Sequence, residues 1–351
     1  MITRLIAILF ANVAFSHAND TPLLKLPPGE TGEQIVLSEL EEGTQVNAEG
    51  VIVFGGESEH YLTPPTFSLH SSRLRDPDRG IGYPDNHVLE SRELPNREIY
   101  PFQLRDSKNI TLSGLTVLGL QSEDLPWRVV KQMWDGDALL VKNCEGRVAI
   151  KDVFFRNTED GFGPEKGIEH WRLERAWMED IRDDAIENDF LLSGEIDNCL
   201  IDGCFVFLSQ RNPDGRTAEP TTVIRDSLIR ISAQAHDGVE RKPWRDRFIH
   251  LGEDGIGRAP GMLFKWAGSA GKVRVENCLF YMDAVSVNGP DEMRFPPGTY
   301  EKVTLIWTGE EPYPMPLPSG VVTVSDPGIW EEAKANWIKN LPANHPGLQR
   351  P

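Results

Sequence analysis

Cysteine is scarce: Cys144, Cys199, Cys204 and Cys278 are the only four in 351 residues. That is too few for a disulfide-built scaffold. Cys199 and Cys278 also share one inward position of the repeat described below, so packed free thiols are expected. Basic residues are short as well, 36 Lys and Arg against 54 Asp and Glu, for a formal net charge of −18. Nucleic acid is therefore excluded as a partner, because gripping phosphates takes clustered Lys and Arg. A polyanionic substrate would be repelled too, unless local Lys or Arg or a bound cation reverses the sign. Beyond residue 18 no stretch approaches the ~20 apolar residues of a membrane span. Gly-x-Ser-x-Gly, zinc-ligand spacing and a phosphate loop are all missing, which leaves esterase, zinc and nucleotide chemistry without support.

What is present begins with a leader. Residues 1–18 carry Arg4, an apolar run over 5–15, and small residues at Ser16 and Ala18. This pattern predicts a secretory signal peptide. The mature chain, from about Asn19, is expected to be secreted (extracellular or periplasmic), soluble and monomeric.

The most informative feature is a repeat. RVAIKDVFFRN (147–157), HWRLERAWMED (170–180) and SGEIDNCLIDG (193–203) follow one template of alternating apolar positions broken by two polar residues. Ile150, Leu173 and Ile196 lie in steps of 23, with Val153, Ala176 and Cys199 as a second column and Phe155, Met178 and Ile201 as a third. The template returns at 221–231 and 271–282 and precedes the set at 109–119. Alternation is a strand signal, and the polar pairs (Lys151-Asp152, Glu174-Arg175, Asp197-Asn198, Glu276-Asn277) mark bends. A unit this short cannot bury its apolar face alone and must stack on its neighbours. The leucine-rich template is absent. The expectation is an all-β chain, a right-handed parallel β-helix of ~23-residue coils over 19–351. A C-terminal helix near 327–340, with apolar Ile329, Trp330, Ala333, Trp337 and Ile338, is expected to cap it. Segments 57–100, 121–136 and 235–260 break the template and are expected to be inserted loops of the kind that build binding surfaces.

Carried past the strands, the same register aligns Asp137, Asp160 and Asp183. Three carboxylates on successive coils, ~5 Å apart, cannot all stay ionised without compensation. A cation such as Ca²⁺, a nearby Lys or Arg, or a raised pKa would supply it. Asp184, Glu159, Glu187 and Asp189 crowd the same stretch, as do Lys166 and Arg182. Paired carboxylates of this kind suit glycoside hydrolysis. The same oxygens, from Asp137, Asp160 and Asp183, would suit Ca²⁺, which could acidify a uronate C5 proton for Lys166, Arg182 or Arg211 to remove. The plain alternative is that aspartates simply end strands in turns.

NTEDGFG (157–163) followed one coil later by IRDDAIEND (181–189) resembles the paired motifs of polygalacturonase-type glycosidases, within the wider pectate-lyase-like superfamily. The resemblance covers about 109–285. It implies that Asp160, Asp183 and Asp184 supply the acid and activate the water. Two departures stand out: Glu159 is inserted in the first motif, and Gly203-Cys204-Phe205-Val206 stands where that family has Gly-His-Gly. Arg230-Ile231-Ser232 keeps only two residues of its Arg-Ile-Lys. Arg211 is a candidate base or carboxylate clamp. Lys166, Arg182 and, in the third insertion, His236, Trp244 and Arg245 are candidate substrate contacts. Three readings result: a polysaccharide hydrolase needing no cofactor, a Ca²⁺-dependent lyase or uronate epimerase, and a non-catalytic glycan-binding solenoid.

Overall fold

The computed structural model describes residues 137–348, except 213–214, 216–219, 236–247, 254, 268–269 and 344. It also describes seven earlier strands: Glu33–Ile35, Ile52–Gly55, Glu59–Leu62, Phe67–His70, Phe102–Arg105, Lys108–Ser113 and Leu115–Leu118. The expected signal segment, the 121–136 insertion, His236, Trp244 and Arg245 lie outside the described residues.

The described chain is mostly strand, wound as a parallel β-solenoid of about 6 turns. One face is a nine-stranded parallel sheet that includes Glu145–Lys151, Ile168–Glu174, Gly194–Asp197, Thr221–Arg225 and Lys272–Glu276. Two further faces fuse into a 14-stranded sheet, because the 11-residue strands Trp177–Glu187 and Leu200–Gln210 run round the corner between them.

The sequence explains this packing position by position. Ile150 pairs with Leu173 and Leu173 with Ile196, while Phe155 pairs with Met178 and Met178 with Ile201. All six are fully buried, as are Val153, Ala176 and Cys199. Side chains of like position thus stack along the axis at the strand spacing of ~4.8 Å, each closing the gap above the last. The bends between the first two faces use left-handed backbone. Asp152, Arg175, Asn198, Asp226 and Asn277 have φ of 48°, 50°, 52°, 50° and 51°. Asp and Asn tolerate that conformation because their short side chains bond locally. The four cysteines are buried and none is in a disulfide, and burial pushes the Cys199 thiol up to about 12.

Three expectations change. The segment 57–100 holds two coil strands, Glu59–Leu62 and Phe67–His70, which pair in parallel with Lys108–Ser113 and Leu115–Leu118. Their alternation is too short to be conspicuous on either side of Pro64-Pro65. The segment 235–260 carries a small antiparallel sheet of Ala233–Ala235, His250–Leu251 and Gly257–Pro260. The chain then re-enters the solenoid as Met262–Trp266, paired with Leu200–Gln210.

The helix forms where expected, over Gly328–Lys339, but it does not cap the stack. Trp330 and Trp337 bury against Phe154, Trp177, Leu200, Leu279 and Ile306, outward-facing residues of successive coils. Lys334 reaches Asp202, the Trp337 indole N–H donates to Asn198 Oδ1 at 2.9 Å, and His345 Nε2 meets the Arg175 carbonyl at 2.8 Å. The helix and tail therefore run along the flank as a strap. Its two indoles find on the flank an apolar surface that buries both. The core's end is covered instead by Tyr313, Met315 and Leu317 of the proline-rich stretch 309–320. The Tyr313 ring lies 5.3 Å from Trp307, and its hydroxyl donates to the Met293 carbonyl.

Candidate active site

Asp160 opens the strand Asp160–Pro164 and lies in register opposite Asp137 on the preceding coil. On the following coil the Asp183 amide donates to the Glu159 carbonyl at 2.7 Å. The Asp184 amide donates to Asp160 Oδ1, also at 2.7 Å. The pairing then slips by a residue within Trp177–Glu187, and Phe162 faces Ile186. A bulge of this kind turns consecutive side chains toward one side instead of alternating them. Asp183 and Asp184 consequently both address Asp160, and one oxygen of each of the three lies within 4.8 Å of the others. All three are buried.

Asp137 belongs to the same surface but not to that trio. Its carboxyl occupies the space above Gly163, where a Cβ would come within 2.2 Å of Asp137 Oδ2. Of the two expected sets, Asp160, Asp183 and Asp184 form the close group, while Asp137 faces Asp160 in register and stands beside it. The register slip is the physical reason.

One cation is built into the cluster. Lys265 Nζ lies 2.9 Å from Asp184 Oδ2, 3.2 Å from Oδ1 and 3.8 Å from Asp183 Oδ1. It stands in a register row with Ser209 and Glu187 across three coils. Arg211 closes the far side. Its Nε lies 3.0 Å from Asp189 Oδ2 and its Nη2 3.4 Å from Glu187 Oε1, while Ser209 Oγ donates to Asp189 Oδ1 at 2.7 Å.

This arrangement separates the carboxyls by proton affinity. Burial, reinforced by Glu159, Glu187 and Asp183, holds the Asp160 carboxyl well above the usual range. Burial raises Asp137 likewise, with Glu187 and Glu165 adding to it. Glu187 is pushed up to about 8 by burial and then by Asp184 and Asp189. Asp184 reaches only about 6, since burial raises it and Lys265 pulls it back. At neutral pH a protonated Glu187 thus stands beside an ionised Asp184.

The remaining candidates fall apart spatially. Arg182 is fully buried and donates to the Gln234 side chain and the Ala235 carbonyl, so its role as a substrate contact or base is corrected to a tie between coil and insertion. Lys166 is exposed in the turn after Asp160–Pro164, its ammonium 5.6 Å over the Phe190 ring. Arg211 is held between Asp189 and Glu187 and kept charged, which suits it to a clamp rather than a base. Lys265 was not singled out from sequence. Its only signal is the alternation in Gly261-Met262-Leu263-Phe264-Lys265-Trp266, obscured because the insertion before it breaks the period.

Fold and site together define the class: a parallel β-solenoid carrying a buried acidic cluster with a lysine against two of its aspartates. No protein-family model, curated protein or solved structure matches the chain. Among the described residues no helix is long and apolar enough to cross a membrane.

Proposed function

We propose that this chain is a secreted polysaccharide hydrolase of the pectate-lyase-like superfamily, cutting glycosidic bonds of a uronate-containing glycan at the Asp160–Asp183–Asp184 cluster. The observation that carries this reading is the split in proton affinity just described. Glycoside hydrolysis needs a protonated carboxyl to give a proton to the leaving oxygen and an ionised one to act on water or on the sugar. Glu187 and Asp183 are the two that reach the surface, with side chains 31% and 11% exposed. Glu187 donates its proton to the glycosidic oxygen as that C–O bond breaks. The Asp183–Asp184 pair takes a proton from the water whose oxygen bonds to the anomeric carbon. Asp160 and Asp184 lie behind them, and Lys265 keeps the Asp183–Asp184 side negative.

The lyase and epimerase reading gains less. It needs an uncharged Lys or Arg as base, and Lys265 and Arg211 are both held protonated by carboxylates. A divalent cation fits poorly too, since the Lys265 ammonium already spans both oxygens of Asp184. The test is a panel of polysaccharides scored for new reducing ends and for the ultraviolet absorbance of an unsaturated uronate. Reducing ends without that absorbance are expected. Asp183→Asn and Glu187→Gln should each lower turnover roughly a hundred- to ten-thousandfold. Activity unchanged in both variants and in Asp160→Asn and Asp184→Asn would remove this site, and absence of cleavage on every glycan would favour a binding solenoid.

A further inference from the structure

We infer that the Lys265 ammonium is a resident counter-ion, held against Asp184 and Asp183 on the side of the cluster where a divalent cation would bind, so that the cluster is assembled without metal. The inference concerns the site read above as catalytic, but it rests on geometry alone. Three carboxylates with oxygens within 4.8 Å of one another need positive charge or protons among them. Lys265 meets both oxygens of Asp184, at 2.9 and 3.2 Å, and lies 3.8 Å from Asp183. That is the two-oxygen grip a metal ion takes on a carboxylate. The placement is not the chance reach of a flexible surface chain. The strand Met262–Trp266 holds it, Ser209 is its register partner, and only 21% of the side chain is exposed.

Calcium needs six to eight oxygens at about 2.3–2.6 Å, and an ammonium on the same carboxylate excludes it by volume and by charge. The choice of cation also sets the chemistry. A single positive charge balances one carboxylate and leaves the others to retain protons, whereas a doubly charged ion would ionise the cluster. Lysine therefore preserves the proton store that acid catalysis requires. Lys265 is a positioning residue in this scheme, acting through Asp184 and Asp183.

The test titrates Ca²⁺, and Tb³⁺ as a luminescent probe, into the full chain and into Lys265→Ala, Lys265→Gln and Lys265→Arg. The parent and Lys265→Arg should melt at the same temperature with chelator or with millimolar Ca²⁺, and should show no Tb³⁺ signal that Asp184→Asn abolishes. Lys265→Ala or Lys265→Gln should melt lower in chelator, recover with Ca²⁺, and bind Tb³⁺ at least about tenfold more tightly than the parent. Two results would overturn the inference: Tb³⁺ binding by the parent that Asp184→Asn removes, or a folded Lys265→Ala with unchanged melting and no gain in cation affinity. Should both neutral variants fail to fold, the parent titration alone decides. Cation gain in Lys265→Ala without cleavage of any glycan by the parent would leave the counter-ion standing while the hydrolase reading falls.

Discussion

Between the ordinary glutamate value of 4.5 and about 8, the folded chain keeps a proton on Glu187 that the unfolded chain has released. The native state therefore binds more protons than the unfolded state across that window, and stability falls as pH rises through it. Asp184 adds to the same slope between 3.8 and about 6. The melting temperature should decline from pH 5 to pH 8, and Glu187→Gln should flatten the upper half of that decline. At pH 8 the variant should melt higher by roughly 1–3 °C, a modest gain because part of the side chain is screened by water. A melting curve series that kept the parent's slope in Glu187→Gln would show that this carboxyl is not the one holding the proton. Gly163 makes a second test at this scale. A methyl there would strike the Asp137 carboxyl, so Gly163→Ala should cost about 1–3 kcal/mol in denaturant unfolding. Adding Asp137→Ala should return most of that loss, and a strictly additive double variant would contradict the contact. The aspartates were readable as a group because their spacing repeats the coil length. That Asp184 joins Asp160 and Asp183 came from the motif resemblance and not from the spacing, since one slipped residue leaves no mark in an alternating pattern. Lys265 was hidden for a different reason: its partner Asp184 lies 81 residues away in sequence, beyond an insertion that erases the period.

At the scale of elements, the strands and their inward columns could be read almost residue by residue, because burial of one face imposes alternation and stacking imposes a constant step. The helix could be located but not docked. Its docking surface is made of Phe154, Trp177 and Leu200, which recur at the same 23-residue step but at the positions the template leaves open, where an apolar side chain faces outward and does not announce what covers it. Trp337 is the main attachment. It packs edge-on against Trp177 with ring centroids 5.8 Å apart and donates its indole N–H to Asn198. Trp337→Ala should therefore cost about 3–5 kcal/mol in equilibrium unfolding, and Trp337→Phe should recover the packing but not the hydrogen bond. A loss below about 1 kcal/mol would mean that the helix rests on the flank without contributing to it.

At the scale of the molecule, a solenoid is a nearest-neighbour stack in which each coil supports only the next. Such a stack can fray from its ends. The strap changes this, because Lys334, Trp337 and His345 fasten to coils 132, 139 and 170 residues earlier in the chain. Deleting everything after residue 326 should replace one sharp thermal transition with a broad one. Hydrogen exchange should then quicken first in the coils around 272–324. A truncated chain that still melted in a single sharp step would show that coil-to-coil contacts alone make the stack cooperative.

The direction of those contacts has a consequence for how the protein is made. Synthesis proceeds from the N-terminus, so every coil emerges before the residues that bind the coils together. Contacts of such long sequence separation are slow to form, and here they also come last. Until Trp330 and Trp337 have left the ribosome, the nascent solenoid exposes Phe154, Trp177 and Leu200 along one side. A premature stop just before the helix would release a chain that holds the described coils yet carries an open apolar seam, the kind of surface chaperones hold and aggregation begins from.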